Sequence, residues 1–353
     1  MNTVGADLHK RTTWFYILDC HGKKINSKNI SNNPELLKRY FASIPKPFRI
    51  AVEATYNWYF FVDIAQEYAE ETFLANSFML KAFAKAHKKT DKIDARLIAT
   101  VLYKGFLPVV YIADKETREV RELLRYRQSL IQDRCRNITR LKMILDKIGI
   151  LSSGDFTTQK KLKEVSQYVL PSRSYRLIID KFIERIAFHT EKLGEIEKTI
   201  ATLPVADDDI RNLISICGIA EFSGALIKSE IITIDRFKSF AHLCAYAGLA
   251  PRVSQSADKI YHGPINRNRR KYLQWILLEL SYHFKNGYPD KAEKFERIKK
   301  RKGHNTAKVA LARDLLKAIH IVLKEKRPYH HIYEKKTETR KIQLVAADAF
   351  VGV

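Results

Sequence analysis

Cysteine is scarce in this chain and long apolar runs are absent. The four cysteines among 353 residues form no CxxC pair and no cluster with histidine, which argues against a zinc site. Scattered free thiols are typical of a reducing cytoplasm. The stretch MNTVGADLHK has no apolar signal-peptide core, and no run approaches the ~18 apolar residues that a membrane span requires. We therefore expect a cytoplasmic protein with neither a signal peptide nor a membrane span.

Acidic residues are also few relative to basic ones. The chain has 39 Asp and Glu against 63 Lys and Arg, and a net charge of +24. Such an excess favours a polyanionic partner, and nucleic acid is the leading one. An anionic membrane surface is the alternative, but no long amphipathic, lysine-rich terminus supports it. The length predicts two or three domains.

The first 112 residues have an α/β pattern. Short runs rich in β-branched and aromatic residues predict strands over 3–8, 13–19, 48–53 and 71–75. The letters HGKK predict a hairpin turn. NPELLKRYFASI and WYFFVDIAQEY predict helices, the first with Asn33 as its cap.

Residues 113–206 predict a helical, coiled-coil region. Apolar residues recur every seven positions over 115–149, although Arg127 and Arg134 interrupt one row. The repeat is cleaner over 173–203, which favours a long antiparallel hairpin or a coiled coil between subunits. His189 falls on this apolar stripe, where we expect a packed residue rather than a ligand.

Pro204 and the acidic run Asp207–Asp209 mark a boundary, and residues 207–353 form the third predicted domain. This region is mostly helical by pattern, with an irregular stretch at 250–266. The apolar tail KIQLVAADAFVGV docks either on the core or on another subunit, and the sequence does not decide between them.

Four carboxylates have the placement that a metal-dependent nuclease requires. Asp7 and Glu53 follow predicted strands, while Asp91 and Asp94 are three residues apart at the start of a helical pattern, so they share a face. Carboxylates gathered in this way bind Mg²⁺ and, through it, phosphate. Three cations beside the pair suit a scissile phosphate: Lys88, Lys89 and Lys92. The alternative is that each acid is a surface residue or part of a helix cap, as Thr90-Asp91 suggests.

The motifs that carry these acids resemble a known family. GADLHK with Asp7, VEATYNWY with Glu53, and KTDKIDARLIA with Asp91 and Asp94 resemble the four acids of the DEDD-type transposases of the IS110 family. The resemblance covers nearly the whole chain. It implies that residues 1–112 form a RuvC-like, ribonuclease-H-like domain that binds Mg²⁺ through the four acids.

The carboxyl-terminal half resembles the same family independently. LISICGIAEFSGALIKSEI is similar to its helix–hairpin–helix segment, and GLAPRVSQSADK is similar to the segment with its catalytic serine. The position-by-position match implies that Ser256 is the nucleophile, with Ser254 as the second choice. Two residues depart from the family pattern, because Ala257 and Arg269 stand where glycine is usual.

Small and basic residues in this half have two interpretations. Gly218 and the region of Gly224 either bring backbone N–H groups to an anion or belong to an ordinary helix–turn–helix of the core. Basic residues around the serine segment suit phosphate contacts, and their alternative is a solvated helix face. These residues are Arg252, Arg267, Arg269, Arg270 and Lys271.

The resemblance implies a transposase that exchanges DNA strands through a covalent link between serine and DNA. It implies donor and target DNA and a structured guide RNA as partners, a homodimer or homotetramer, and association with the nucleoid during the reaction. Two alternatives stay open. One is a RuvC-like Holliday-junction endonuclease that uses metal-activated water, and the other is a basic nucleic-acid-binding scaffold without catalysis.

Overall fold

A computed structural model describes residues 1–83, 90–203, 207–256, 259–265 and 269–329, with side chains for all of these except 252–256, 259–262 and 264. The chain forms two compact units, Met1–Ala113 and Asp114–Val353. The boundary predicted near residue 206 falls within the second unit, and residues 204–206 lie outside the described part. No helix among the described residues is both long and apolar enough to cross a membrane.

The first unit is built on a six-stranded mixed sheet. Its strands are β1 (Asn2–Leu8), β2 (Thr12–Leu18), β3 (Lys24–Ser31), β4 (Phe48–Glu53), β5 (Glu71–Ala75) and β6 (Val109–Val110). The spatial order is β3-β2-β1-β4-β5-β6. β1 pairs in parallel with β4, as β4 does with β5, while the remaining pairs are antiparallel. The four predicted strands and the hairpin turn are confirmed.

Helices cover both faces of this sheet. On one face, α1 (Pro34–Ala42) and α2 (Trp58–Gln66) pack on Val4, Ile50 and Val52. Both helices were predicted, and the Asn33 side chain caps α1 as expected. The short α3 (Ser77–Leu80) precedes α4 (Asp91–Tyr103), whose Ile98 and Leu102 pack against Ala51 on the opposite face. The central strands are therefore buried on both sides, as the parallel part of a sheet requires.

The second unit begins with two long helices that pack antiparallel. They are α5 (Lys115–Lys147) and α7 (Arg173–Ile200), with α6 (Gln159–Ser166) between them. Arg127 binds Glu197, whereas Arg134 binds Thr190, so rising numbers on one helix meet falling numbers on the other. Of the predicted stripe on α7, Ile179, Ile186, Leu193 and Ile200 are buried. An antiparallel hairpin within one chain is the alternative that the fold realises.

The rest of the second unit is a helical core with one β-hairpin. The helices are α8 (Asp208–Ile214), α9 (Glu221–Ile231), α10 (Phe240–Tyr246), α11 (Lys271–Gly287), α12 (Pro289–Lys302) and α13 (His304–Glu325). Leu124 of α5 and Ile200 of α7 join this core. The prediction of an irregular stretch over 250–266 was wrong, because β7 (Pro251–Ser256) and β8 (Lys259–Ile265) pair antiparallel there. A two-stranded ribbon does not need the alternating apolar face by which the other strands were recognised.

Candidate active site

Asp7 lies on the face of the sheet that packs against α4. Successive side chains of a strand point to opposite faces, and Val4, Ala6 and Leu8 belong to the core on the other side. On the α4 side, a Cβ at Gly5 would lie 2.3 Å from the carbonyl oxygen of Ala95. Glycine therefore lets α4 rest directly on β1, two residues before Asp7.

Asp91 and Asp94 occupy the first turn of α4. The helix starts here because the Thr90 side chain accepts a hydrogen bond from the backbone N–H of Ile93, which satisfies one of the open donors of the first turn. This is the cap that the sequence suggested. Thr90 supplies the cap, so the Asp91 carboxylate is free of that role and lies near His9 and Asp7 at the end of β1.

His9 connects the strand to the helix. Its Nε2 atom lies 3.0 Å from an oxygen of Asp7 and 3.3 Å from an oxygen of Asp91. The His9 carbonyl accepts hydrogen bonds from the side-chain amides of Asn32 and Asn57, which fixes the backbone just beyond β1. Ligand atoms of Asp7, His9 and Asp91 all lie within 4.8 Å of one another.

His9 is the member of this cluster that the sequence reasoning missed. The signal was present in the spacing Asp7-x-His9, because residues two apart near the end of a strand tend to share a side of the sheet. In GADLHK, the carboxylate of Asp7 carries the resemblance to a metal site, and His9 adds nothing to it. A histidine is neither a strand former nor a hard oxygen ligand, so it did not enter the set of acids.

Burial is the main influence on Asp7. The side chain is 7% exposed, against 48% for His9 and 56% for Asp91. Desolvation raises the pKa of Asp7 to about 6, His9 opposes that rise, and the nearby charges of Asp94 and Asp91 add to it. An anion held in these surroundings is poorly stabilised until a cation joins it.

Glu53 and Asp94 lie near this cluster without joining its tight group. The parallel register Ala6↔Val52 places Glu53 on the strand beside Asp7. Ala51, two residues before Glu53 on β4, packs against α4. Because alternate residues of a strand share a face, Glu53 also points to the α4 side of the sheet. Asp94 is close enough to influence the pKa of Asp7. Among the described residues, the group whose ligand atoms lie within 4.8 Å is Asp7, His9 and Asp91.

This donor set fits a divalent cation. Two carboxylates supply hard oxygen atoms, with Glu53 and Asp94 on the same side of the sheet. An imidazole nitrogen is a better ligand for Mn²⁺ than for Mg²⁺. The Nε2 atom of His9 lies between the carboxylates of Asp7 and Asp91. A cation would also favour a position between these two anions.

Ser256 is the last residue of β7, beside the tip of the hairpin. The base of the hairpin is held from both ends. The Gln274 side chain donates a 2.6 Å hydrogen bond to the carbonyl of Gly248, and Arg270 N–H donates to the carbonyl of Tyr246. Gly248 has φ +70°, and a Cβ there would lie 2.6 Å from the side chain of Arg269. The turn before β7 therefore depends on glycine.

Arg270 has a buried partner. Its Nη2 lies 2.7 Å from Glu230, which also binds Arg125 at 3.0 Å and is 1% exposed. Burial opposes the ionisation of Glu230, but Arg270, Arg121 and Arg125 outweigh it and hold the pKa of that carboxyl below its usual value. The guanidinium that was predicted to contact phosphate is thus engaged in an ion pair at the foot of α11.

The other predicted cations divide into two groups. Lys92, Arg269 and Lys271 are exposed. Lys88, Lys89 and Arg267 lie outside the described residues, and the Arg252 side chain is also undescribed.

Packing accounts for Gly218 in the turn between α8 and α9. Gly218 has φ +93°, and a Cβ there would lie 2.5 Å from the Cβ of His283 on α11. Gly224 lies inside α9, where an added Cβ would be 3.4 Å from the side chain of Ile210. The turn is pressed against neighbouring helices, in agreement with the interpretation as part of the helical core.

Comparison with known proteins gives these two groups of residues a common context. The family model of the DEDD transposases of IS110 type matches residues 4–150. The model of the IS116/IS110/IS902 transposase family matches residues 210–290. The first match contains Asp7, Glu53, Asp91 and Asp94, and the second contains Ser256. The chain belongs to the IS110 family of transposases.

Several bacterial relatives agree with this assignment. The chain is 24% identical over 243 residues to the transposase of insertion sequence IS1111A from Coxiella burnetii, covering 66% of each protein. It is 22% identical to the transposase of IS1328 from Yersinia enterocolitica, covering 78% of this chain and 81% of the relative. A probable family 20 transposase from Pseudomonas aeruginosa is 20% identical, with coverage of 79% and 82%. This IS110-family protein is therefore an enzyme that acts on DNA during transposition.

Proposed function

We propose that this transposase cuts and rejoins DNA with the hydroxyl of Ser256 as its nucleophile and with a metal-binding set of acids in a RuvC-like first domain. The acids are Asp7, Glu53, Asp91 and Asp94. The observation that carries the proposal is the meeting of Asp7, His9 and Asp91 on one side of the sheet. Acids that were distant in the sequence are close in space, and that arrangement has little structural purpose without a cation.

The proposed chemistry conserves the energy of the DNA backbone. The Ser256 oxygen attacks a phosphorus atom, the bond to the 3′ oxygen breaks, and the serine proton leaves while the 3′ oxygen takes one up. The products are a phosphoserine linked to the 5′ side and a free 3′ hydroxyl, which can later reverse the step on another strand. Bound Mg²⁺ would supply charge stabilisation at the phosphate oxygens. Lys92, Arg269 and Lys271 would contact the backbone phosphates.

A trapping experiment tests the nucleophile. A DNA substrate nicked so that the cut is irreversible should give a covalent protein–DNA adduct with the unmodified enzyme. We expect Ser256→Ala to abolish the adduct and Ser254→Ala, a matched change on the same strand, to retain it. The opposite pattern would move the nucleophile to Ser254. Cleavage that survives Ser256→Ala but is lost in Asp91→Asn would establish water attack, as in a Holliday-junction endonuclease, and refute the proposal.

We also propose a structured RNA as the guide, so that base pairing selects the DNA and the protein supplies shape recognition and chemistry. The net charge of +24 supports a protein that holds two nucleic acids. Enzyme purified with the noncoding RNA of its element should exchange strands, and ribonuclease should abolish that activity. RNA with altered pairing segments should redirect it. Unchanged exchange after RNA removal would contradict the guide, and metal-independent binding without any exchange would favour a scaffold.

A further inference from the structure

A cleft of about 1050 Å³ lies in the second unit, against the base of the β7–β8 hairpin. Because Ser256 lies in this hairpin, we call it the serine hairpin. Pro251 of β7 and Ile265 of β8 form one wall, while α11, α12 and α13 contribute the others. Its volume is just above the roughly 300–1,000 Å³ usual for small-molecule sites. That is room for a few nucleotides of a single strand.

The rim of this cleft is cationic. Lys302, Arg313 and Lys317 are exposed and line it, and among the residues that the structure describes none of the three has a carboxylate within ion-pair distance. Lys294 also lines the cleft, but Asp314 neutralises it at 2.7 Å. Arg313 and Lys317 are four apart on one helix, where like charges are destabilising. A bound anion would relieve the repulsion between these two cations, so the arrangement favours an anionic ligand.

The floor is apolar. Val309 and Ala310 lie on the same face of α13 as Arg313 and Lys317, at helical spacing, and they are half-buried rather than sealed in the core. Phe240 and Leu278 continue this surface from α10 and α11. Unstacked bases pack on aromatic and aliphatic surfaces while their phosphates remain with cations at the edge. A simple inorganic anion would make no use of such a floor.

Hydrogen-bonding groups complete the mouth of the cleft. Asn305 and Thr306, in the first turn of α13, are exposed and line it. The N-cap residue of this helix is Gly303, which has no side chain to accept a hydrogen bond, so the first N–H groups of the helix add donors to those of the cations.

We infer that this cleft binds the unpaired DNA strand next to the phosphate that Ser256 attacks. The inference rests on the proposed function and deepens it. The hairpin is continuous with the cleft, since β7 runs from Pro251 at the cleft wall to Ser256. Five residues of strand span about 17 Å, so the cleft wall lies within about that distance of the backbone of Ser256. The positive charge at the rim favours a polyanionic ligand, and the apolar floor favours one with exposed bases. The proposed nucleophile on the adjoining strand favours DNA over RNA.

Binding in the absence of metal tests this inference without any cutting. Full-length Ser256→Ala protein in EDTA would be titrated into a labelled 12-nucleotide thymidine strand. We expect the double variant Lys302→Gln/Lys317→Gln to bind on the order of tenfold or more weakly at low salt, and its plot of log affinity against log salt to be shallower by about 1.4. Lys302→Arg/Lys317→Arg should retain both values. Lys160→Gln/Lys163→Gln on α6 is the control with the same loss of charge.

The position of the bases needs a second readout. A strand with photoreactive 5-iodouracil should crosslink to peptides that contain Phe240 or residues 304–317, and Val309→Asp should reduce that crosslink.

Three results would overturn the inference. One is equal binding by Lys302→Gln/Lys317→Gln and its α6 control. Another is tighter binding of a uridine RNA strand or of a duplex of equal length. The third is displacement of the DNA strand by a polyglutamate peptide whose own binding needs Lys302 and Lys317, which would assign the cleft to an acidic protein. Failure to trap a Ser256 adduct would instead refute the proposed chemistry, because strand binding is measured in a protein that cannot form one.

Discussion

Asp7 is the buried member of the Asp7–His9–Asp91 cluster, and its position has an energetic consequence. Its pKa of about 6, against an ordinary 3.8, means that the folded protein binds a proton at this carboxyl more tightly than the unfolded chain does. The stability associated with that proton is present below about pH 4 and is lost as the pH rises through 6. At pH 8 the ionised carboxylate therefore destabilises the fold unless a cation binds.

Replacing Asp7 by asparagine should make the protein more stable in EDTA at pH 8. The interval between 3.8 and about 6 corresponds to up to about 3 kcal/mol, and an asparagine oxygen can still accept a hydrogen bond from His9. Urea unfolding at pH 8 measures the change, and the gain should disappear at pH 4. Added Mg²⁺ or Mn²⁺ should stabilise the unmodified protein but not Asp7→Asn.

Asp19 provides a control of opposite sign. Backbone hydrogen bonds from Lys23 and His21 hold the pKa of Asp19 below its usual value, so Asp19→Asn should lower stability at pH 8. A loss of stability of Asp7→Asn in EDTA at pH 8 would contradict the raised pKa of Asp7. Equal stabilisation of that variant by metal would show that Asp7 does not hold a cation.

At the scale of elements, the contact between β1 and α4 sets the distance between Asp7 and Asp91. Gly5→Ala should disturb it, because the new Cβ would meet the backbone of Ala95 and Ala99 at 2.3–2.4 Å, and backbone atoms cannot rotate away as a side chain can. We expect a loss of about 1–3 kcal/mol or more together with weaker metal binding. Calorimetry with and without Mn²⁺ measures both.

Gly194→Ala on α7 is the matched control. A Cβ there meets nothing within 4 Å, so alanine in that helix should stabilise by about 0.5–1 kcal/mol. If Gly5→Ala behaved like Gly194→Ala, α4 would not be packed on β1 as closely as the fold indicates.

Glu230 ties α9 to the start of α11, and thereby to the second stem of the serine hairpin. Removing one partner of a buried ion pair leaves the other charges uncompensated, so Glu230→Gln should destabilise the second unit by about 3–5 kcal/mol. Urea unfolding measures this, with Glu325→Gln as control because its pair with Arg327 is exposed and worth under about 1 kcal/mol. If the two variants lost the same free energy of unfolding, the Glu230 ion pairs would not stabilise the hairpin.

The accuracy of the sequence predictions follows the physical origin of each element. β4 and β5 have the predicted bounds, and α5 and α7 end within three residues of theirs, because buried strands and amphipathic helices leave a periodic signal. The hairpin β7–β8 leaves none, since it is a ribbon with few apolar residues. Glu230 was missed for another reason, because its partners are set by the tertiary fold, among them Arg125, 105 positions away in the chain. The pairing of His9 with Asp7 was visible in the local spacing, whereas its contact with Asp91 depends on the fold.

At the scale of the whole molecule, the Asp7–His9–Asp91 cluster and the cationic cleft lie in different compact units. Roughly three quarters of the net positive charge is in residues 114–353, which is the part expected to dominate phosphate binding. The first unit has its own cores of buried residues on both faces of the sheet. This distribution suggests that metal binding and strand binding are separable.

Separate expression of the two units tests that division. Residues 1–113 should unfold cooperatively and be stabilised by Mn²⁺, because the sheet, α4 and the Asp7–His9–Asp91 cluster all lie within them. Their affinity for a single DNA strand should be weak. Residues 114–353 should bind that strand in EDTA with the salt dependence of the full chain, and Lys302→Gln/Lys317→Gln should weaken the strand binding of this fragment as it weakens that of the intact protein.

A first fragment that folds but is not stabilised by Mn²⁺ would mean that the cluster needs ligands from beyond residue 113. A second fragment that binds DNA only with metal would mean that the two functions are not separable, because strand binding would then depend on carboxylates rather than on the cations of the cleft.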